Sequence, residues 1–176
     1  MAERGLFFED FRKGVRLKGK VGRTVTDSDN IWFTLLTNNA NQIHFNADYA
    51  RREFPGEPFR GRMVVNGFLT LATVAGILVD QTSASGFMLG LRDVKFLHPV
   101  FAGDTIYAEC EVVAARVSAS IPDSGIVTLR TWGTNQRGEK VLEFLRDFMA
   151  KRRRQQASGR PKRKQARTAS SDASTS

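Results

Sequence analysis

Residues 63–79 constrain the fold most. They contain no charged side chain and are apolar at twelve of seventeen positions: Met63, Val64, Val65, Phe68, Leu69, Leu71, Ala72, Val74, Ala75, Ile77, Leu78 and Val79. As a helix the stretch would rise about 26 Å. That is too short to favour a membrane span, and its apolar character on nearly every side predicts a helix buried at the centre of a domain. Asn66, Gly67, Thr70, Thr73 and Gly76 interrupt the run with small or polar groups that let backbone or ligand approach closely. Such a helix needs a partner surface on most of its circumference. The remaining sequence offers strand-like segments at residues 87–96, 104–117, 125–135 and 140–150, rich in residues such as Thr105, Tyr107, Val112, Val127 and Thr131. Pro99 with Gly103-Asp104, residues 122–125 and Gln136-Arg137-Gly138 supply the breaks. One buried helix against several long antiparallel strands requires a curved sheet that wraps it, an α+β arrangement.

The first third of the chain reads as cover and connection. Residues 7–20 mix aromatic and charged side chains and predict a turn and a strand along one sheet edge. Thr24 to Thr26 ends a strand, and Thr26, Asp27 or Ser28 can cap a following helix, with Asp27 and Asp29 near its positive end. Ile31, Phe33, Leu35 and Leu36 are the candidates for that helix's apolar surface. Asn38 and Asn39 compete for backbone hydrogen bonds and predict its end. A polar loop over residues 38–42 then leads to Ile43-His44-Phe45, and a short helix is expected around residues 48–54.

Composition narrows the function classes. A length of 176 residues suits one domain. The lone Cys110 excludes an intramolecular disulfide framework, and its place in an alternating apolar run reads as core. Two histidines and one cysteine disfavour a soft-metal site, so metal-independent chemistry is expected. Residues 151–176 hold nine of the 27 bases and one of the 18 acids, which leaves the body with 18 bases and 17 acids. The basic character therefore belongs to a Ser-rich tail expected to be disordered, beside a folded domain over residues 1–150. Such a tail can attract polyanions nonspecifically, but it lacks aromatic interleaving, and no specific nucleic-acid or membrane partner is expected. Without an apolar leader or a membrane-length run, the expected location is the cytoplasm.

Several spaced motifs resemble the MaoC-like hotdog family of acyl-CoA hydratases and dehydratases, in particular its mesaconyl-CoA or itaconyl-CoA hydratase branch. They are Phe8-Glu9-Asp10-Phe11, the run from Gly22 to Asn30, Asn41-Gln42-Ile43-His44-Phe45-Asn46, Val64-Val65-Asn66-Gly67, and the run from Val94 to Asp104. The resemblance covers roughly residues 7 to 150. It implies a hotdog fold, with the curved sheet around the helix of residues 63–79. It also implies an acyl-CoA substrate held partly at a subunit interface, hence a homodimer or higher homo-oligomer, and no cofactor, because CoA is part of the substrate. The implied activity is reversible hydration of an enoyl-CoA, with a short branched or dicarboxylic acyl group. Thioester hydrolysis and noncatalytic acyl-thioester binding are the alternatives.

His44 matches the family's catalytic histidine. Asn39 stands where the family carries an aspartate five residues before it, and Asn66 where many relatives have histidine. Imidazole transfers protons near neutral pH, which suits water addition to a β carbon coupled to protonation of the α carbon. Asn39 has no titratable carboxylate and is read as orienting water; ending the first helix is its bland alternative. The backbone N–H of Gly67 can stabilise the thioester enolate oxygen, although its lack of a side chain also suits close helix packing. Asn41, Asn66, Arg92 and Lys95 are the candidate substrate contacts, the two bases through CoA phosphates; Asn66 reads equally as a helix cap. His98 is expected in a loop near the cleft, and Asp104 in a structural turn.

Overall fold

A computed structural model describes residues 5–82 and 86–153. Three long strands, β4 (Thr105–Val117), β5 (Ser124–Thr134) and β6 (Lys140–Lys151), form the middle of an antiparallel sheet. The short β1 (Arg16–Lys18) extends it beyond β4, and β3 (Gly86–Phe96) beyond β6, giving the order β1-β4-β5-β6-β3; the two-residue β2 (Arg23–Thr24) also pairs with β4. Alternation sorts the faces: Ile106, Ala108, Cys110 and Val112 on β4, and Val127, Leu129 and Thr131 on β5, are buried. Cys110 is core, as expected, and burial pushes its thiol up to about 11.

The central helix, α3 (Gly67–Ile77), packs on the buried face of β4 and β5. Gly133 on β5 permits the approach, since a Cβ there would lie 2.4 Å from Val74 Cγ2. The helix is shorter than its apolar run. Asn66 caps it, its Oδ1 accepting the Phe68 N–H at 3.0 Å, and residues 63–65 are extended, with Val64 bridged to Phe101. Nor is α3 buried all round. Thr70, Val74 and Leu78 face the sheet, while Phe68, one turn before Ala72, is 67% exposed.

A larger departure is α1 (Asp27–Leu36). Thr26 caps it, with Asp29 closing the box, as the sequence allows. Its buried positions, however, are Asn30 and Thr34, whereas Leu35 and Leu36 point outward, Leu36 at 75% exposure. A polar face decides this helix's orientation. The short helix α2 (Ala47–Glu53) follows, and α4 (Val79–Thr82) extends the path of α3.

The tail reading lies outside the described residues beyond Arg153. Its first residues belong to the body: Lys151 ends β6, the Arg153 guanidinium donates to Asp10 at 2.7 and 2.8 Å, and Arg152 reaches Glu9. The folded boundary therefore falls later than residue 150, because these cations meet the acidic turn at residues 8–10. Among the described residues no helix is long and apolar enough to cross a membrane.

Candidate active site

His44 ends a 3-10 helix, Gln42–His44, initiated by Asn41, whose side chain accepts the Ile43 N–H. The buried Ile43 anchors this turn, and the imidazole projects to a cleft of about 310 Å³. His44 Nδ1 lies 2.9 Å from the Val64 carbonyl oxygen. A carbonyl only accepts, so Nδ1 carries the hydrogen and the neutral ring keeps its lone pair on Nε2. Gly67 lines the same cleft. It is the first residue of α3, where a helix leaves its N–H without an intrahelical partner, and the Asn66 side chain takes the next N–H instead. The cleft thus presents a proton acceptor and a hydrogen-bond donor at the positive end of a helix, between apolar walls that include Val65, Phe96 and Val141.

Asn30 holds these parts together. Its Nδ2 donates to the His44 carbonyl at 2.7 Å and to the Val64 carbonyl at 3.1 Å, while its Oδ1 accepts the Asn66 N–H at 2.8 Å. One buried amide therefore ties the His44 turn, the oxygen that fixes the His44 tautomer, and the cap of α3. Thr34, one turn along, accepts from Asn66 Nδ2 at 3.3 Å. This explains the polar inner face of α1: buried carbonyl and N–H groups require partners, and Leu could supply none. Sequence reasoning missed Asn30 as a site residue. The available signal was its position inside the Gly22 to Asn30 motif, on a helix otherwise rich in large apolar groups.

The remaining expected site residues separate. Asn39 does not line the cleft; its Oδ1 accepts the Asn41 N–H at 2.9 Å and shapes the loop before His44. Asn41 is exposed and serves as the cap of the His44 turn. Asn66 is buried, and its side chain is committed to Phe68 and Thr34, so it is a cap rather than a cleft contact. Arg92 and Lys95 pair in register with Leu145 and Glu143, on the face opposite Phe96 and Leu142. Arg92 bonds Asp147 there, and Lys95 lines a separate depression with Asp93 and Glu143. Within one chain, neither base reaches the cleft.

His98 does line the cleft, its Nδ1 2.8 Å from the Lys140 carbonyl oxygen. Asp104 is buried, as a structural turn requires. Burial alone would raise its pKa, but the Phe101 N–H, Gln136 and Arg137 outweigh that and hold it below the usual carboxylate range. Among the described residues no group of three or more His, Cys, Asp or Glu side chains is arranged to hold a metal ion.

A family model for mesaconyl-CoA hydratase matches residues 1–176. The mesaconyl-CoA hydratase of Haloarcula marismortui is 35% identical over 154 residues, which cover 86% of this chain and 41% of that protein. The mesaconyl-CoA hydratase of Cereibacter sphaeroides is 32% identical over 151 residues, covering 85% of this chain and 42% of that protein. This chain thus spans less than half the length of either relative. Among solved structures, a MaoC domain dehydratase from Chloroflexus aurantiacus superposes with a TM-score of 0.77 at 28% identity, covering 92% of this chain and 44% of that one.

Proposed function

Because the chain belongs to the mesaconyl-CoA hydratase family and has its hotdog fold, we propose that it is a hydro-lyase that reversibly adds water to an enoyl-CoA. The observation that carries the reading is the shared cleft of His44, with Nδ1 committed to Val64, and the Gly67 N–H. In the hydration direction His44 Nε2 takes a proton from water as the water oxygen bonds to the β carbon. The π electrons shift toward the thioester, and its oxygen, gaining charge, accepts from the Gly67 N–H. The α carbon then takes that proton from His44 Nε2, which returns to its neutral form, so that H and OH add across the double bond and nothing else is consumed. Neither a metal nor a cofactor enters this scheme, CoA being part of the substrate. Asn39 acts in it by bracing the loop that carries His44, its Oδ1 holding the Asn41 N–H, rather than by touching the attacking water. A cytoplasmic site of action accompanies this reading, since CoA thioesters are made and used there.

A homodimer completes the proposal. β3 is the last strand of the sheet, and Phe87, Met88, Leu89, Leu91 and Phe96 along it are 40–55% exposed. A long apolar edge of this kind is a template for a second strand, and a second copy pairing there would cover it.

The direct test is a mass-spectrometric screen of enoyl-CoA and 3-hydroxyacyl-CoA thioesters with the full-length chain. Gain or loss of one water with the thioester intact is expected. Release of free CoA thiol without a hydrated product would make the protein a thioesterase instead, and the relatives' names favour the first result.

A further inference from the structure

A polar cluster lies inside the core, away from the His44 cleft. Arg146 on β6 is 2% exposed, and Thr131 on β5 and Cys110 on β4 are fully buried. Cys110 stands directly opposite Thr131 in the β4–β5 register, while Arg146 is opposite Leu129, one inward position along from Thr131. That diagonal is within reach of a long side chain. The Arg146 side chain crosses β5 to bond the Cys110 side chain two strands away, and its Nη2 donates to Thr82 Oγ1 at 2.9 Å. The hydrogen bonding of this cluster does not close. Among the described residues neither Arg146 Nε nor Thr131 Oγ1 has a partner, and no carboxylate pairs with the guanidinium. Asp147, next along β6, points to the other face, where it meets Thr128 and Arg92. Cys110 does not supply the missing charge, because burial pushes its thiol up to about 11 and it stays protonated at neutral pH. A buried guanidinium without a counter-charge is among the costlier groups a core can hold, and burial accordingly lowers the Arg146 pKa.

We propose that Arg146 Nε and Thr131 Oγ1 bind a monatomic anion of the chloride class inside the sheet. The Arg146 Nε–H, the Thr131 hydroxyl and the Cys110 thiol are all able to donate. A chloride accepts from them and cancels the charge together. A water brings two hydrogens of its own to a site without a strong acceptor, and it leaves the charge unmatched. Through Nη2 and Thr82, whose hydroxyl donates to the Leu78 carbonyl at 2.8 Å, the same guanidinium reaches the C-terminal end of α3. Occupancy therefore registers in the stability of the whole fold, independently of the chemistry in the cleft.

The test is thermal unfolding of the full chain at fixed ionic strength as gluconate is exchanged for chloride. Linkage predicts a saturable rise in melting temperature, about 3–6 °C at ten times the dissociation constant. Arg146→Met, which keeps an apolar stem and removes the guanidinium, should lose the chloride dependence while keeping any general response to salt. Thr131→Val, which removes only the hydroxyl, should raise the half-saturating chloride concentration by about tenfold, and it carries the test if Arg146→Met does not fold. In crystals grown with bromide, an anomalous peak within hydrogen-bonding distance of Nε and Oγ1 is expected. Equal stability in chloride and gluconate would overturn the proposal, as would a chloride dependence unchanged in the variants. A water bridging the two atoms in the bromide-grown crystals would overturn it as well.

Discussion

The Val64 carbonyl oxygen receives two donors, His44 Nδ1 and Asn30 Nδ2, and both bonds serve the same imidazole. Replacing Asn30 by Ala would leave the His44 carbonyl and the Asn66 N–H without their partner. We expect about 1–3 kcal/mol lost in a denaturant titration and a fall in kcat of about 100-fold from displacement of His44. Asn39 allows a sharper distinction. If its amide oxygen acts only by holding the Asn41 N–H, Asn39→Asp should keep most of the activity and Asn39→Ala should lose it. A carboxylate that instead changes the pH dependence of kcat would return Asn39 to the chemistry. His44 was legible because a spaced motif surrounds it. Asn30 was not, because its partners are main-chain groups 14, 34 and 36 positions away, which no local pattern records.

Helix α3 shows what periodicity conveys and what it omits. The apolar run identified the central helix, and the four long strands emerged within a residue or two of their ends, because turn residues and alternation are local properties. The start of α3 was misplaced by four residues, since Val64 and Val65 are as apolar as the helix and only the Asn66 cap separates them. At Gly67 a Cβ would lie 2.9 Å from the Phe96 ring. Phe96 is half exposed and can yield, so Gly67→Ala should change the melting temperature little while the displaced ring lowers kcat/KM by about tenfold or more. The start of β4 carries the acid sensitivity. Asp104 joins Phe101 to Gln136 and Arg137 in the β5–β6 turn. Its folded pKa is depressed, so its stabilisation is present above the unfolded value of about 3.9 and is lost as pH falls through the folded value. Asp104→Asn should therefore destabilise the protein at pH 7, and acid titrations of unfolding should show the gap to wild type closing below about pH 4.

For the whole molecule, the exposed apolar residues of β3 are the largest feature a single chain leaves unexplained. Residues 87–96 read as a strand, but whether an edge strand meets water or a second copy is decided by a surface absent from the sequence pattern. The proposed pairing predicts that the chain sediments at twice its 19.6 kDa mass and that Leu91→Lys shifts it toward monomer. Arg92 and Lys95 lie on the outer face of this same strand, so a role for them in CoA binding would require the second copy. The central claim, that His44 moves the proton in water addition, is tested most directly by the rate of enoyl-CoA hydration in His44→Ala beside wild type, with folding followed by circular dichroism. The expected result is a fold retained to within about 1–2 kcal/mol and a kcat lowered by about 100- to 10,000-fold. A folded His44→Ala protein that hydrates its substrate at the wild-type rate would contradict it.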